Sequence, residues 1–300
     1  MLVAEEKLKS TKFEDCTEFR SHFRVQPFLC RHRLADHELF TNEALHRLAT
    51  KAGNGWGSAP RRKFLREATA PGFLVVTGRG PVRWGSSEFH DTLDRAFADL
   101  SRCNVRLKIT GVDEHEGYRE LLHECTREFS ELTGIDFNRN YGPGLATLFI
   151  ASPHETTPYH IDEEENFLLQ LRGTKQALIF DGNDRTVVTE RDLEQFWFGR
   201  CFIERHPTSR YQTFHLAAGD ALFNPPFFPH LMTSGAQASV SLSLAYQRRC
   251  FPVAEVHRMN AYLRKMGLRP SAPGRHPTLD AIKSQTVRRT LWLKKSVLGG

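Results

Sequence analysis

The stretch from residue 145 to residue 246 is a series of short apolar runs separated by turn residues, and it limits the possible fold more than any other feature. Arg172-Gly173 and Gly219-Asp220 are two of the turns. Short strands joined by turns, without crossover helices, are typical of an antiparallel barrel or jelly roll. We therefore predict strands at residues 145–151, 166–170, 176–180, 221–223 and 238–246.

Three side chains within this stretch form a candidate metal site: His160, Asp162 and His230. Two imidazoles and one carboxylate are the ligand set that holds Fe(II) on one face and leaves three positions open. His160 and Asp162 are two residues apart, so on a β-strand both side chains point to the same face. A buried histidine is more often a hydrogen-bonded core residue, and the metal interpretation depends on the strand placement and spacing.

The sequence around these residues resembles a known family. From His160 it reads H-x-D-x-x-x-N-F-x-x-Q-x-x-G-x-K, followed by G-D-x-L-F-x-P and then by His230. This pattern is similar to the JmjC and cupin-like Fe(II)/2-oxoglutarate oxygenases, and most of all to the asparaginyl protein hydroxylases. The resemblance covers residues 143–248 well and the first hundred residues poorly. It implies a mainly β fold with α additions: a double-stranded β-helix, or cupin-like jelly-roll barrel, buttressed by N- and C-terminal helices.

The same resemblance implies roles for individual residues. His160, Asp162 and His230 would bind Fe(II), with 2-oxoglutarate and O2 as co-substrates. Lys175 and Thr157 would hold the distal carboxylate of 2-oxoglutarate.

Two further positions would contact the co-substrate. Asn166 matches the asparagine that the family places four residues after the aspartate. Near the end of the last strand the family often has another asparagine, where this chain has Ser241 and Ser243. We assign that contact to Ser243.

Lys175 also has a physical reason for its assignment. A carboxylate buried in a barrel must meet a cation or several donors, because an unpaired buried charge is very costly. Some related oxygenases use an arginine on the last strand instead, and Arg248 is the nearest candidate. Arg248 lies beyond the apolar run of that strand, so we prefer Lys175. A surface position for Lys175 remains the alternative.

The chain divides into three parts. We predict a mixed, mainly helical region at 1–140, the catalytic barrel at 141–250 and a helical extension at 251–300. Within the first part, residues 42–52, 88–101 and 116–133 have helical patterns, and residues 72–76 and 105–109 resemble strands that extend the main sheet. Glu163, Glu164 and Glu165 are interpreted as a solvated acidic loop, or as a loop that meets a basic substrate.

Composition restricts the class of protein. There is no run of eighteen apolar residues, so no membrane span is expected, and residues 1–7 lack the features of a secretory signal. The six cysteines are scattered without a Cys-x-x-Cys pair, which indicates neither a disulfide framework nor a zinc module and favours the cytoplasm. A net charge of +6 permits acidic partners but does not require nucleic acid.

The C-terminal residues 279–297 have the pattern of a basic amphipathic helix. Ile282, Val287, Leu291 and Leu298 recur at near-helical spacing, with lysines and arginines between them. Such a helix can dock on the domain, pair with a second subunit or lie on an anionic surface. Because C-terminal helices build a homodimer in the related hydroxylases, we favour a homodimer.

Three functions remain open from the sequence. The first is a dioxygenase that hydroxylates a protein, peptide or amino-acid-like small molecule, with release of succinate and CO2. The second is a JmjC-type N-methyl demethylase, which the absence of a Cys/His-rich reader module makes less attractive. The third is a cupin-like binding or regulatory protein without turnover. The intact triad together with Lys175 argues against the third.

Overall fold

The architecture comes from a computed structural model that describes residues 12–53, 72–77, 80–82, 87–102, 104–203 and 210–298. The expectation about a secretory signal in residues 1–7 therefore lies outside the described residues. Within these ranges, no helix is both long enough and apolar enough to cross a membrane.

Twelve strands and eight α-helices make up the described chain. In chain order the strands are β1 (Phe28–Arg31), β2 (Gly72–Thr77), β3 (Gly80–Val82), β4 (Val105–Thr110), β5 (Leu145–Ala151), β6 (Thr156–His160), β7 (Glu165–Arg172), β8 (Lys175–Phe180), β9 (Tyr211–Leu216), β10 (Asp220–Asn224), β11 (His230–Ser234) and β12 (Ser239–Tyr246). The helices are α1 (Glu18–Ser21), α2 (Asn42–Gly53), α3 (Ser87–Ala98), α4 (Glu116–Thr133), α5 (Phe137–Asn140), α6 (Glu190–Phe196), α7 (Pro252–Lys265) and α8 (Pro277–Leu298).

The strands form two sheets that enclose a barrel. The large sheet has the order β1-β10-β7-β12-β5-β4-β2-β3, and the small sheet has the order β6-β11-β8-β9. Every pair of neighbouring strands is antiparallel. Strands that are consecutive in sequence often lie in different sheets, as expected for a jelly roll. The predicted cupin-like, double-stranded β-helix is confirmed.

Side chains alternate between the two faces of the large sheet because successive residues of a strand point in opposite directions. Leu148 and Leu242 are paired across β5 and β12 and face the outer core. Their neighbours Phe149 and Ser241 are also paired, and they face the small sheet across the barrel interior. The interior face of β12 carries serines, which leaves room and hydrogen-bonding groups inside the barrel.

Helices of the N-terminal region cover the outer face of the large sheet. Phe129 of α4 stacks on Phe167 of β7 with ring centres 3.9 Å apart and an interplanar angle of 11°. Both rings are fully buried, and burial of such a side chain stabilises the fold by roughly 1.5–3 kcal/mol. These contacts fix the large sheet and so position the strands that carry the candidate site.

The predicted elements are largely confirmed. The five predicted strands appear as β5, β7, β8, β10 and β12, and β4 and β2 extend the large sheet as expected. The helix at residues 116–133 is confirmed, with Gly134 at a φ of 70° after its last residue. The helix predicted for residues 88–101 ends earlier, at Ala98.

One expectation about the barrel is wrong. A helix, α6, lies between β8 and β9, where no helix was expected. Thr189 and Asp192 form a capping box at its start, and Leu193 and Phe196 are buried. The local capping pattern was present in the sequence and would have indicated this helix.

The last helix, α8, presents apolar residues on two sides. Val287 is buried against the rest of the chain, so part of the predicted apolar face already has a partner in this protein. Leu279 and Ile282 are 52% and 56% exposed. The homodimer stays a prediction.

Candidate metal centre and co-substrate cavity

The two histidines of the candidate site lie opposite each other on paired strands. His160 is the last residue of β6, His230 is the first residue of β11, and the register pairs them directly. Their ring centres are 4.2 Å apart. The antiparallel pairing thus brings together two residues that are far apart in sequence.

Asp162 completes the group, but not from a strand. β6 ends at His160, and Asp162 lies in the following loop, which corrects the expectation that both residues share a strand. Ile161 is buried in a separate apolar cluster, and the carbonyl oxygen of Asp162 accepts a hydrogen bond from the Phe227 N–H at 2.7 Å. These contacts turn the Asp162 carboxylate toward the histidines.

The three side chains converge on one point. Oδ2 of Asp162 lies 3.6 Å from Nε2 of His160 and 3.6 Å from Nε2 of His230. One ligand atom from each residue falls within 4.8 Å of the others. The Asp162 side chain keeps 34% exposure, so the group is open on one side. This geometry fits a metal ion held on one face with open positions on the other.

Backbone carbonyls orient both imidazoles for metal binding. Nδ1 of His160 donates to the carbonyl oxygen of Pro158 at 2.7 Å, and Nδ1 of His230 donates to that of Phe228 at 3.0 Å. In a neutral imidazole with Nδ1 protonated, Nε2 carries the lone pair. Both Nε2 atoms therefore face Asp162 as available ligands.

The electrostatics of the group favour a cation. Burial raises the pKa of Asp162, but the two neighbouring imidazoles lower it more, and the pKa lies well below its usual range. Burial and the charge of His160 lower the pKa of His230 to about 4. Burial also acts to lower the pKa of His160, but the Asp162 carboxylate outweighs it and raises that pKa. Asp162 thus attracts a positive charge, which a metal ion can supply in place of the His160 proton.

Thr157 reaches the same face as His160 because β6 contains a bulge. Across from it, His230 and Met232 of β11 are two residues apart, but their partners His160 and Thr157 are three residues apart. Because His230 and Met232 are two residues apart on β11, their side chains point to the same face. Their partners His160 and Thr157 therefore also share that face, since β6 contains one extra residue between them. Pro158, which has no N–H to donate, lies within the bulge.

Lys175 points into the barrel. It is the first residue of β8, and its Nζ donates to Ser241 Oγ at 2.7 Å across the interior. Ser241 Oγ in turn donates to Oε1 of Gln170 at 2.7 Å. Burial lowers the pKa of Lys175 to about 8, and among the described residues no carboxylate forms an ion pair with it. The surface alternative for Lys175 is therefore wrong, and the buried ammonium is available for an anion.

Arg248, the alternative cation, already has a partner. Its Nε donates to Glu165 Oε1 at 2.6 Å, and the Glu165 side chain is fully buried. Glu165 also lies 3.7 Å from Arg24 Nε. The interpretation of Glu165 as part of a solvated acidic loop is therefore wrong: it begins β7 and neutralises arginines, because a buried carboxylate needs cations.

The two remaining predicted co-substrate residues, Asn166 and Ser243, lie near the metal group. So does Asn224, which was not among the predicted site residues. Ser243 Oγ donates to Asn166 Oδ1 at 2.8 Å. Asn166 pairs in register with Asn224, whose amide nitrogen lies 3.1 Å from Nδ1 of His230. The Asn224 amide donates at 3.3 Å to the carbonyl oxygen of Phe228, which also accepts the His230 Nδ1 hydrogen. The place of Asn224 in the N-P-P turn before His230 was the only sequence signal for it.

Part of the chain is similar in sequence to a known family. The family described as the cupin-like domain matches residues 104–250. The match begins at β4, earlier than the resemblance seen in the sequence alone. No curated protein matches the chain in sequence at a significant level.

Several solved structures share the fold. The structure of YcfD from Escherichia coli has a TM-score of 0.52 at 14% identity, over 94% of this chain and 69% of that one. A structure described as the ribosomal oxygenase YcfD from Escherichia coli has a TM-score of 0.50 at 13% identity, over 94% and 68%. Another, in complex with cobalt and 2-oxoglutarate, has a TM-score of 0.49 at 16% identity, over 93% and 68%. The resemblance to a cupin-like family that the sequence suggested is confirmed: residues 104–250 match that family, and the chain shares the fold of YcfD.

Proposed function

We propose that this protein is an Fe(II)- and 2-oxoglutarate-dependent oxygenase that hydroxylates a C–H bond of a protein, peptide or amino-acid-like molecule. One observation carries the proposal: the barrel holds the His160, Asp162 and His230 group and also an inward, buried Lys175 ammonium without a described carboxylate partner. The His160, Asp162 and His230 group can bind a metal ion, and the Lys175 ammonium can bind a dicarboxylic co-substrate.

The donor set supports iron. Two imidazole nitrogens and one carboxylate oxygen on one face, with the opposite side open, are typical of non-haem Fe(II) oxygenases. When bound, iron supplies the activation of O2, coupled to conversion of 2-oxoglutarate to succinate and CO2. Pro158 and Phe228 keep the two imidazoles in the required tautomer through their carbonyl oxygens.

Residues of this chain would bind both ends of 2-oxoglutarate in the cavity. Lys175 would pair with the distal carboxylate, and Thr157 would donate a hydrogen bond to it. Asn166 and Ser243, already hydrogen-bonded to each other, would contact the end near the metal. The surrounding apolar side chains of the barrel would exclude water, which strengthens these charge-assisted contacts.

The comparisons support the class and leave the substrate open. The TM-score of 0.50 to a structure described as a ribosomal oxygenase is a likeness of fold at 13% identity. It is consistent with oxygenase chemistry in this barrel, which the site residues themselves suggest.

A binding measurement followed by a turnover measurement tests the proposal. The purified full chain is loaded with Mn(II), and 2-oxoglutarate binding is measured by calorimetry without O2. The Fe(II)-loaded protein is then incubated with O2, 2-oxoglutarate and a panel of peptides, and succinate is quantified by NMR. Metal-dependent binding of 2-oxoglutarate and peptide-stimulated succinate release are expected, with gain of one oxygen atom in the product. Loss of a methyl group would identify a demethylase, and failure to bind 2-oxoglutarate would contradict the proposal.

We further propose a homodimer that forms through α8, in the cytoplasm. Leu279 and Ile282 are more than half exposed on adjacent turns, and the exposed Arg289 lies two turns after Ile282 on the same side of the helix. An apolar centre with charges at its rim is the usual composition of an interface between proteins. The scattered cysteines suit a reducing compartment.

A further inference from the structure

Lys108 lies in the same inward-facing row of the large sheet as the residues that support Lys175. In the sheet register Lys108 of β4 is opposite Phe149, which is opposite Ser241. Lys108 Nζ lies 5.8 Å from the centre of the Phe149 ring, and Lys175 Nζ lies 6.0 Å from the same centre. Two ammonium groups therefore flank one aromatic ring inside the barrel.

Lys108 is on the side of the cavity that holds the metal ligands. Arg106, two residues earlier and so on the same face of β4, donates from Nη1 to the carbonyl oxygen of Thr156 at 2.7 Å. This bond joins β4 to β6, the strand that ends in His160. Lys108 therefore lies on the face of β4 that is bonded to β6.

Lys108 has no anionic partner among the residues that the structure describes. Its side chain is half-buried, and no carboxylate in the described ranges forms an ion pair with it. The neighbouring Phe149 ring offers only a weak, distant cation–π contact. An ammonium group in such a place is stabilised when an anion binds beside it.

The charges of the proposed complex point to the source of that anion. A divalent metal ion, the Asp162 carboxylate, doubly charged 2-oxoglutarate and the Lys175 ammonium sum to zero. Lys108 adds one positive charge that no member of this set balances. Within this set, one further carboxylate would balance the charge of Lys108.

We propose that Lys108 binds a carboxylate of the substrate that is oxidised, so that the substrate is an acidic peptide or amino-acid-like molecule. The carboxylate is an Asp or Glu side chain close to the oxidised carbon. This proposal rests on the proposed oxygenase function and names its substrate class. The other possible source of the carboxylate, 2-oxoglutarate itself, is distinguished by the experiment.

The test uses the full chain loaded with Mn(II) and 2-oxoglutarate in the absence of O2. Two pools of capped pentapeptides, one with Asp or Glu at the centre and one with Asn or Gln, are compared by ligand-observed NMR. The acidic pool is expected to bind about tenfold more tightly or better, because a charge-assisted contact is lost with the amide. In Lys108→Met this preference disappears, while the Kd of 2-oxoglutarate stays within about twofold. Lys108→Arg retains the preference.

The control is Lys51→Met, which removes the same charge from the exposed surface of α2 and should leave the preference unchanged. Equal binding of the two pools by the unmodified protein, or binding of neither, overturns the proposal. It is also overturned if Lys108→Met weakens 2-oxoglutarate binding as much as Lys175→Met does, since Lys108 would then serve the co-substrate. If the unmodified protein binds no 2-oxoglutarate, the oxygenase function fails and this proposal fails with it.

Discussion

His160 and His230 face each other across paired strands with ring centres 4.2 Å apart, and each donates its Nδ1 hydrogen to the carbonyl oxygen two residues before it. The two imidazoles are therefore prepared in the same tautomer by the same local geometry. Both present Nε2 to Oδ2 of Asp162 at 3.6 Å. Metal binding then needs little rearrangement of the ligands.

Removal of one ligand should abolish metal binding without unfolding the barrel. His160→Ala and Asp162→Ala are each expected to weaken binding of Co(II) or Fe(II) by more than about a hundredfold, since even loss of a residue that only supports a ligand costs about ten- to hundredfold. Succinate release should fall to background. Metal affinity is measured by calorimetry, and the fold is checked by circular dichroism. His215→Ala, at an exposed histidine of the same sheet, is the matched control and should bind metal normally. Normal turnover in both ligand variants would refute the metal assignment.

Lys175 should support co-substrate binding, whereas Arg248 should support the stability of the fold. Lys175→Met is expected to weaken 2-oxoglutarate binding by about ten- to hundredfold, which corresponds to roughly 1.5–3 kcal/mol for a hydrogen bond to a charged group. Arg248→Met should leave that affinity nearly unchanged but lower the free energy of unfolding by about 3–5 kcal/mol, because it leaves the buried Glu165 without its closest cation. Calorimetry and denaturant unfolding separate the two effects. The opposite pattern would place the co-substrate carboxylate at the last strand.

The bulge in β6 can be tested with two adjacent threonines. Thr157→Val should weaken 2-oxoglutarate binding by about two- to tenfold, because it removes one hydrogen-bond donor of roughly 0.5–1.5 kcal/mol. Thr156→Val is the control, since Thr156 is exposed and its hydroxyl contacts Thr233 at 3.1 Å on the opposite face. Calorimetric titration with metal present gives both affinities. Equal effects of the two substitutions would mean that the bulge does not direct Thr157 into the cavity.

The pKa of Lys175 predicts a pH dependence of co-substrate binding. Because burial lowers this pKa to about 8, 2-oxoglutarate affinity should fall as the pH rises above about 8, by up to about tenfold per pH unit. In the ligand-free protein the pKa of Lys175 is lower in the folded state than in the unfolded state. As the pH rises above about 8, Lys175 should therefore contribute an increase in the free energy of unfolding. Lys175→Arg should give a flat binding profile, since arginine stays charged. A flat profile in the unmodified protein would contradict the assignment.

The predicted homodimer can be tested in the full chain. Leu279→Glu combined with Ile282→Glu should convert a dimer into a monomer, because two charges would be buried in an apolar interface without partners. Light scattering after size-exclusion chromatography gives the mass. Val25→Glu changes another exposed apolar residue, 59% exposed and distant in sequence, and should leave the dimer intact. A monomeric unmodified protein that binds DNA or RNA in a salt-sensitive manner would favour a nucleic-acid surface instead.

Much of the barrel was predictable because local residue patterns indicate its strands. The alternation of apolar residues and serines in β12 and the apolar run of β5 indicate strands whatever their partners are. Helix α4 was predictable from its periodicity and from Gly134 at its end. The missed helix α6 shows the limit of that approach, since its capping box is local but its apolar face is short.

The sequence by itself determined the residue types of the candidate site and the short spacing of His160 and Asp162, because neighbours in the chain stay neighbours in space. Only the tertiary structure decided what depends on long-range pairing. The strand register brought His230 opposite His160, and the bulge at Pro158 returned Thr157 to the inner face. Buried Glu165 is paired with Arg248, which leaves Lys175 rather than Arg248 as the buried cation without a described carboxylate partner. The placement of Lys108 on the face of β4 that is bonded to β6 also follows from a tertiary contact, which no local pattern encodes.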